Sequence, residues 1–319
     1  EELALAFSEG VNAQSLDVID LGLCSTDMLY FASGHLQLPG SVFTASHNPS
    51  GYNGIKFCFS EARPVSSDTG IEEIRDEVLS KITSGDGSGS ISQLNLLEEF
   101  ANHVKSFVDT DKLKPLRVVA DTANGMGGLV VPAVFQELPF QIEIMYQDLD
   151  GTFPNHPADP IQPENLVDLQ KRVLETNADI GLAFDGDADR VFLVDEKAQP
   201  VSGSVTTALV AKKVLNEEPG ATIVHNLICS QIVPETIAQM GGRAVRTRVG
   251  HSYIKKIMAE EQAAFGGEHS GHYYFRDNFR ADSGLIAALI VLEELSCASK
   301  PLSLLTEPFS HWVGVNRLM

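Results

Sequence analysis

The chain has 319 residues, of which 43% are hydrophobic, 7% aromatic and 21% charged, a composition that is typical of globular proteins and excludes collagen-like or coiled-coil chains. Its 43 acidic and 23 basic side chains give a formal net charge of -20, which argues against nucleic acid or an anionic membrane as the main partner. No apolar run reaches the ~18 residues of a membrane helix. The cysteines show no metal or redox spacing, which favours a reduced, cytoplasmic protein; they are Cys24, Cys58, Cys229 and Cys297.

Short apolar runs alternate with helix-length amphipathic runs along the whole chain. This alternation predicts an α/β fold of three tandem units with mixed, mostly parallel sheets covered by helices. We place the units at residues 1–107, 108–200 and 201–303, and residues 304–319 begin a linker or a further domain. The predicted strands, all expected to be buried, are 17–21, 41–43, 116–120, 180–184, 191–194 and 221–225. Helices are predicted from 91 to about 110, from about 204, from 250 and over 284–297.

The first segment with chemical potential follows the strand at 41–43 and reads Thr-Ala-Ser-His-Asn-Pro over residues 44–49. It puts the hydroxyl of Ser46 beside His47 in a tight turn, and a serine becomes a useful nucleophile only with a base or a pre-attached group. We interpret Ser46 as a phosphate-handling serine, although an isolated run of this kind is more often just a turn. Lys56 follows at the start of the next strand.

The second segment sets Asp185, Asp187 and Asp189 at alternating positions after a buried strand, with Arg190 next. Carboxylates in such a loop can converge on a hard cation such as Mg²⁺, and ligands bind beyond the carboxyl ends of parallel strands. A calcium loop is disfavoured because Arg190 stands where that loop requires glycine. A dehalogenase-type phosphatase that uses Asp185 as its nucleophile stays open, and so does a solvated acidic turn.

The third segment, residues 266–272, reads Gly-Gly-Glu-His-Ser-Gly-His. Its mixture of carboxylate, hydroxyl and imidazole groups suits a polyhydroxy ligand, with Glu268 and Ser270 as the groups that would contact hydroxyls. The alternative is a polar loop that precedes the aromatic residues 273–275.

The fourth segment is a helix start at Gly250 and His251, whose N-terminus suits an anion. It belongs to the densest cationic stretch of the chain, which an anionic substrate would need, although a solvated helix face is the alternative. The stretch contains Arg246, Arg248, His251, Lys255 and Lys256.

In their order and spacing, these four segments resemble the α-D-phosphohexomutase family, in its phosphomannomutase and phosphoglucomutase branch. The resemblance covers nearly the whole chain, and residues 121–125 (Asp-Thr-Ala-Asn-Gly) and 153–157 (Phe-Pro-Asn-His-Pro) add to it. Residues 44–49 look like the phosphoserine loop of that family, residues 185–190 like its metal loop and residues 267–271 like its sugar-recognition loop.

The resemblance implies a role for each candidate residue. Ser46 would carry a phosphoryl group, and the three aspartates would bind Mg²⁺ together with one phosphoserine oxygen. Arg190 would contact the same phosphoryl group, and Glu268 and Ser270 would hold the sugar 3- and 4-hydroxyls. The implied catalytic set is Ser46, His47, Lys56, Arg190 and His272, in which Lys56 and His272 are candidates for general acid or base. The implied substrate set is Arg248, His251, Glu268, Ser270 and His272, and the implied metal ligands are Ser46, Asp185, Asp187 and Asp189.

The implied activity is an intramolecular phosphotransfer between hexose 6-phosphate and hexose 1-phosphate, for mannose, glucose or both. It would proceed through phospho-Ser46 and a hexose 1,6-bisphosphate, which would also act as activator. The expected partners are hexose phosphates, and the expected state is a monomer or homodimer. A non-catalytic sugar-phosphate-binding protein derived from a mutase is the alternative.

Two departures from the family pattern lead to further expectations. We expect that an N-terminal segment with a glycine-arginine loop and a fourth domain with an Arg-x-Ser loop are missing from this chain. Ile228 stands where relatives often have lysine, so one expected phosphate or sugar contact is either lost or replaced by Arg248. His269, between Glu268 and Ser270, makes a sugar-amine substrate less expected.

Overall fold

The computed structural model describes residues 2–80, 85 and 87–309. The first unit contains α1 (Glu2–Ala13), β1 (Val18–Asp20), α2 (Thr26–Leu36), β2 (Gly40–Phe43), β3 (Ile55–Phe59), β4 (Arg63–Pro64), α3 (Glu72–Leu79), β5 (Ile91–Gln93) and α4 (Leu97–Lys105). The second contains β6 (Arg117–Asp121), α5 (Gly127–Phe135), β7 (Gln141–Met145), α6 (Val167–Thr176), β8 (Ile180–Phe184), β9 (Val191–Asp195) and β10 (Pro200–Val201). The third contains α7 (Gly203–Glu217), β11 (Thr222–Asn226), α8 (Ile232–Gln239), β12 (Arg243–Thr247), α9 (His251–Glu260), β13 (Phe265–Gly267), β14 (Tyr273–Phe275), α10 (Gly284–Ala298) and α11 (Leu302–Thr306).

The first unit has two small sheets, an antiparallel one of order β2-β3-β4 and a parallel pair of β1 with β5. The predicted helix from residue 91 is wrong at its beginning, because residues 91–93 pair in register with residues 18–20. The helix starts only at Leu97, whose N–H is held by the Asn95 side chain. The first predicted strand is also less buried than expected, since Ile19 in β1 is 38% exposed.

The second unit is a five-stranded sheet of order β10-β9-β8-β6-β7, covered by α5 and α6. Strands β6, β7 and β8 are parallel, whereas β8 and β9 form an antiparallel hairpin. All residues of β8 and β9 are buried, as their nearly continuous apolar sequence predicts. The turn between these two strands is the acidic segment 185–190.

The third unit is a four-stranded sheet of order β12-β11-β13-β14. Strands β11, β12 and β13 are parallel, and β14 returns as a hairpin partner of β13. The turn of that hairpin is the segment that follows Gly267. Helix α10 is apolar from Leu285 to Leu292 and nearly all buried, because it packs against β9, α7 and α4.

One hydrophobic cluster contains residues of all three units, among them Phe100, Leu182, Phe265 and Leu289. The predicted α/β fold of three units with mixed sheets and covering helices is therefore confirmed, and the units share a core that fixes their relative positions. The predicted linker covers residues 304–319. Its first residues belong to the end of α11, and residues 310–319 lie outside the described residues. Among the described residues, no helix is both long and apolar enough to span a membrane, and all four cysteines are free.

Candidate active site

The serine turn and the metal loop face each other across the first two units. Ser46 follows β2 in a left-handed backbone conformation (φ 52°), and its Oγ donates a hydrogen bond to Oδ2 of Asp185 at 3.1 Å. The Ser46 N–H donates to Oγ1 of Thr44 at 2.8 Å, which fixes the turn. Nδ1 of His47 lies 3.3 Å from the Ser46 hydroxyl. Burial, and secondarily Arg190, lower the pKa of His47, which favours the neutral ring beside the serine.

The three aspartates form a buried cluster that fits a divalent cation. One carboxylate oxygen from each of Asp185, Asp187 and Asp189 lies within 4.8 Å of the others. Oδ1 of Asp187 and Oδ1 of Asp189 are buried and have no hydrogen-bond partner. Burying a carboxylate oxygen without a hydrogen-bond donor costs free energy. A bound Mg²⁺ would be coordinated by these oxygens and so would supply the missing partner.

Lys56 lies against the same cluster. From β3, its Nζ reaches Oδ2 of Asp187 at 2.6 Å and Oδ2 of Asp189 at 2.7 Å. Burial opposes the charge of Lys56, but the two carboxylates raise its pKa well above the ordinary value. Burial also opposes the charge of Asp187, yet Lys56 holds the pKa of that carboxyl below its usual range. The two carboxylates therefore favour the ammonium form of Lys56.

Asp185 is paired with Arg190 at the start of β9. The Arg190 Nε donates to Oδ2 of Asp185 at 2.7 Å, and the Arg190 N–H donates to Oδ1 at 3.1 Å. Burial raises the pKa of Asp185 and the other two aspartates add to this, whereas Arg190 opposes it. Nη2 of Arg190 is buried without a hydrogen bond and lies 3.7 Å from Oδ1 of Asp159. Arg190 is thus held between two carboxylates, with one nitrogen that makes no hydrogen bond.

The hairpin turn of the third unit lies beside the metal loop. Arg190 and His272 form a backbone bridge, and the Val191 N–H donates to the carbonyl of Gly271 at 3.3 Å. As a result, Nε2 of His272 lies 3.7 Å from Oδ1 of Asp189. Nδ1 of His272 contacts the Ser270 hydroxyl at 3.1 Å. The two sequence segments, which are distant along the chain, therefore lie side by side.

Glu268 is held rigidly in the same turn. Its Oε1 accepts hydrogen bonds from Nδ2 of Asn226 at 2.9 Å and from the Gly250 N–H at 3.4 Å. Its Oε2 accepts a hydrogen bond from the hydroxyl of Tyr274 at 2.7 Å. Only 2% of Glu268 is exposed. His269 points elsewhere, with its Nδ1 at 2.9 Å from Oγ of Ser204 at the start of α7.

The cationic stretch is only partly available to an anion. Arg248 stacks on the ring of Tyr253 at 3.5 Å, and His251 begins α9 as predicted. The surrounding protein and Lys255 lower the pKa of His251. Lys255 itself is buried, 3.3 Å from Oδ1 of Asp282. The interpretation of Lys255 as part of a substrate-facing positive surface is therefore wrong, because its helix turns it into the protein instead.

Sequence reasoning missed several residues that hold these groups in place. They are polar residues on neighbouring elements, and the only local signal for any of them is the helix-cap residue Ser25, which directly precedes Thr26 at the start of α2. The missed residues are Thr26, Asp159, Asn226, Tyr274 and Asp282.

Comparison with known proteins identifies the family of this chain. Three family profiles match successive parts of the chain: phosphoglucomutase/phosphomannomutase alpha/beta/alpha domain I at residues 1–84, domain II at 98–199 and domain III at 202–311. A protein of Xanthomonas campestris pv. campestris named phosphohexose mutases is 39% identical over 305 residues, which are 95% of this chain and 68% of that protein. The phosphomannomutase of Escherichia coli K12 is 38% identical over 311 residues, again 95% of this chain and 68% of the relative.

Solved structures agree with these matches. The crystal structure of a phosphoglucomutase/phosphomannomutase family protein from Burkholderia thailandensis has a TM-score of 0.89 and 31% identity, and the match covers 98% of this chain and 69% of that one. The chain thus spans about two thirds of the length of these relatives. All three profiles, the relatives and the shared fold lead to one conclusion: the chain belongs to the phosphoglucomutase/phosphomannomutase family of phosphohexose mutases.

Proposed function

We propose that this chain carries the reaction centre of a phosphohexomutase, which interconverts the 1- and 6-phosphates of mannose, glucose or both through phospho-Ser46. The observation that supports this most directly is the hydrogen bond of 3.1 Å between the Ser46 hydroxyl and Asp185 of the buried acidic triplet. A serine next to a cation site can carry a phosphoryl group whose charge the cation offsets. Hexose phosphates as partners and a cytoplasmic location are part of the same proposal.

Each group of the cleft then has one task. Asp185, Asp187 and Asp189 would hold Mg²⁺, which would neutralise charge on the phosphoryl group and so supply electrostatic stabilisation. Arg190, which is bound to Asp185, would add positive charge beside the phosphoryl group, because phosphoryl transfer depends mostly on positioning and electrostatics. Lys56 contributes a further positive charge next to the triplet.

His272 is the better candidate for the base. The acceptor hydroxyl of the sugar must lose its proton when it attacks phosphorus, and Lys56 is already protonated. His272 faces the metal loop through Nε2, and Ser270 orients its ring through Nδ1. A neutral His272 can accept the proton and return it when the sugar oxygen becomes the leaving group.

The cycle balances as two transfers in opposite directions. First the bond between Ser46 Oγ and phosphorus breaks while a bond from the sugar oxygen to phosphorus forms, which gives the 1,6-bisphosphate. The bisphosphate then turns over in the cleft and its other phosphate returns to Ser46. Glu268 and Ser270 suit both orientations if they hold the 3- and 4-hydroxyls, and Arg248 and His251 would contact the distal phosphate.

The test is phosphopeptide mass spectrometry after incubation with Mg²⁺ and glucose 1,6-bisphosphate, with wild type compared to Ser46→Ala. The proposal expects phosphate on Ser46 that is absent from the variant. Phosphate on Asp185 would instead support the dehalogenase-type phosphatase. If calorimetry detects binding of hexose phosphate but no phosphorylated protein forms, the sugar-phosphate-binding alternative would be supported. Family membership favours neither the phosphatase nor the binding protein.

A further inference from the structure

The first turn of α2 contacts the second and third units at once. The Thr26 hydroxyl donates to Oδ2 of Asp187 at 2.7 Å, and the Thr26 N–H donates to the Asp187 carbonyl at 3.1 Å. The next residue, Asp27, is fully buried. Its Oδ2 accepts a hydrogen bond of 2.8 Å from Oγ of Ser283, which belongs to the third unit. One helical turn therefore joins the metal loop to the start of α10.

Asp27 lies between the N-termini of two helices. Ser25 caps α2 by accepting from the Met28 N–H, and Ser283 caps α10 by accepting from the Ile286 N–H, both at 3.3 Å. The hydroxyl of Ser25 donates to Oδ1 of Asp27, and that of Ser283 donates to Oδ2. The positive ends of both helix dipoles favour a carboxylate here. Asp27 thus holds the capping residues Ser25 and Ser283, which belong to different units, at a fixed separation.

The start of α10 touches both sides of the proposed reaction centre. Oδ2 of Asp282, the residue before the cap, lies 4.0 Å from Nε2 of His272. On the other side, a Cβ added to Gly284 would lie 2.7 Å from the carbonyl carbon of Arg190. A displacement of this first turn would therefore move Asp282, next to His272, and the backbone of Arg190 together, since close-packed protein interiors have little free space.

A second contact orients the same two units. The Nζ of Lys255 in α9 lies 3.6 Å from the ring centroid of Tyr30 in α2 and 3.3 Å from Oδ1 of Asp282. Both residues of this ion pair are buried. Removal of one partner of a buried pair is strongly unfavourable, so the interface between α2 and the third unit tolerates little sliding.

We propose that Asp27 is a positioning residue for phosphoryl transfer, which fixes His272 of the third unit relative to the metal ligand Asp187 by holding Ser283. The inference rests on the proposed function. Asp27 acts through Thr26 on the metal loop and through Ser283 on the sugar-binding turn. Loss of its bond to Ser283 should therefore slow the transfer step and affect substrate affinity less.

The chain offers a matched pair of variants for this test. Ser283→Ala and Ser25→Ala each remove one helix cap and one hydrogen bond to the same carboxylate, but only Ser283→Ala breaks the bond between units. Both should lower the free energy of unfolding by a similar amount, because each loses one helix cap. Stability alone therefore cannot separate the two variants, and any difference in transfer rate reports the bond between units.

The measurement is the single-turnover rate of Ser46 phosphorylation from glucose 1,6-bisphosphate, as a function of its concentration, with Mg²⁺. We expect the limiting rate of Ser283→Ala to fall about 10- to 100-fold, because small misplacements of reacting groups have effects of that order. The half-saturating concentration should change little, Ser25→Ala should stay close to wild type, and Ser283→Thr should restore the rate.

Equal limiting rates for Ser283→Ala and Ser25→Ala, in a protein whose wild type is phosphorylated, would overturn the inference and leave the proposed function intact. A wild-type protein that never gains phosphate on Ser46 would overturn the proposed function, and the inference would fall with it. The wild-type reaction therefore distinguishes the two failures.

Discussion

A Cβ atom on Gly186 would lie 2.4 Å from the carbonyl oxygen of Ser46. The clash would be with the backbone, so rotation of a side chain could not relieve it. The metal loop and the serine turn can therefore approach each other this closely only while residue 186 is glycine. Because the Ser46 hydroxyl reaches Asp185 across the same contact, this glycine sets the distance between Ser46 and the acidic triplet.

Gly186→Ala should therefore push the serine turn away from the acidic triplet. We expect the rate of Ser46 phosphorylation to fall at least about 10-fold, while the fold persists. The measurement is phosphopeptide mass spectrometry over time with glucose 1,6-bisphosphate and Mg²⁺. Gly151→Ala is the control, since a Cβ at that position meets nothing within 4 Å. If Gly186→Ala is phosphorylated at the wild-type rate, the serine turn can move without slowing the phosphorylation of Ser46.

The orphaned oxygens of Asp187 and Asp189 lead to a prediction about metal binding. Mg²⁺ should raise the thermal unfolding midpoint of the wild type, with a stabilisation of about 2.7 kcal/mol at a concentration 100 times the dissociation constant. Asp189→Asn should lose most of this effect, because it removes one charge and one ligand oxygen. The measurement is differential scanning calorimetry with and without Mg²⁺. Asp148→Asn changes an exposed acid of the same unit and should retain the full shift; an equal shift in both variants would place the cation elsewhere.

The sequence predicted the parts of the site that lie within single segments. The acidic loop after β8 and the serine turn after β2 each carry a local pattern, so their positions at strand ends followed from the apolar runs before them. The partners of those segments could not be found in this way. Thr26 and Ser283 reach the site by hydrogen bonds that join residues far apart along the chain, and nothing in either residue's neighbours distinguishes it from an ordinary helix cap.

The same limit explains two of the errors of prediction. Residues 91–93 became a strand because β1 offers a pairing partner seventy-odd residues earlier, which no local propensity reveals. Lys255 was taken for a surface cation because its neighbours in sequence are charged. Its burial depends on Asp282 and Tyr30, which lie on other elements.

The hydrogen bonds that hold Glu268 predict that Tyr274, and not Tyr273, affects sugar binding. Tyr274→Phe removes the donor to Oε2 of Glu268 at 2.7 Å, which leaves a buried carboxylate oxygen without its partner. We expect affinity for mannose 1-phosphate or glucose 1-phosphate to fall about 5- to 30-fold, equivalent to about 1–2 kcal/mol, measured by isothermal titration calorimetry. Tyr273→Phe is the matched control, because successive side chains of a strand point to opposite faces. Equal affinities for the two variants would remove Glu268 from the sugar site.

The pair of His156 and Asp121 predicts a pH dependence of stability outside the reaction centre. Nε2 of His156 lies 2.9 Å from Oδ2 of Asp121, and Nδ1 lies 2.9 Å from the carbonyl of Pro157. Both partners are acceptors, so these contacts favour the protonated ring, which donates from both nitrogens. Burial opposes this charge, but the hydrogen bond to Asp121 raises the pKa of His156 above its ordinary value.

A folded-state pKa above the unfolded value means that the folded protein binds the proton more tightly. The stabilisation is therefore complete below the unfolded value of about 6.5 and is lost as pH rises through the folded-state pKa. His156→Gln should lower the unfolding midpoint most at pH 5.5, by an amount equivalent to about 1–2 kcal/mol, and less at pH 9. Thermal unfolding of wild type and variant at both pH values measures this. Asp121→Asn should reduce the stability in the same pH window, and a difference between wild type and His156→Gln that grows with pH would show that the pair is not charged.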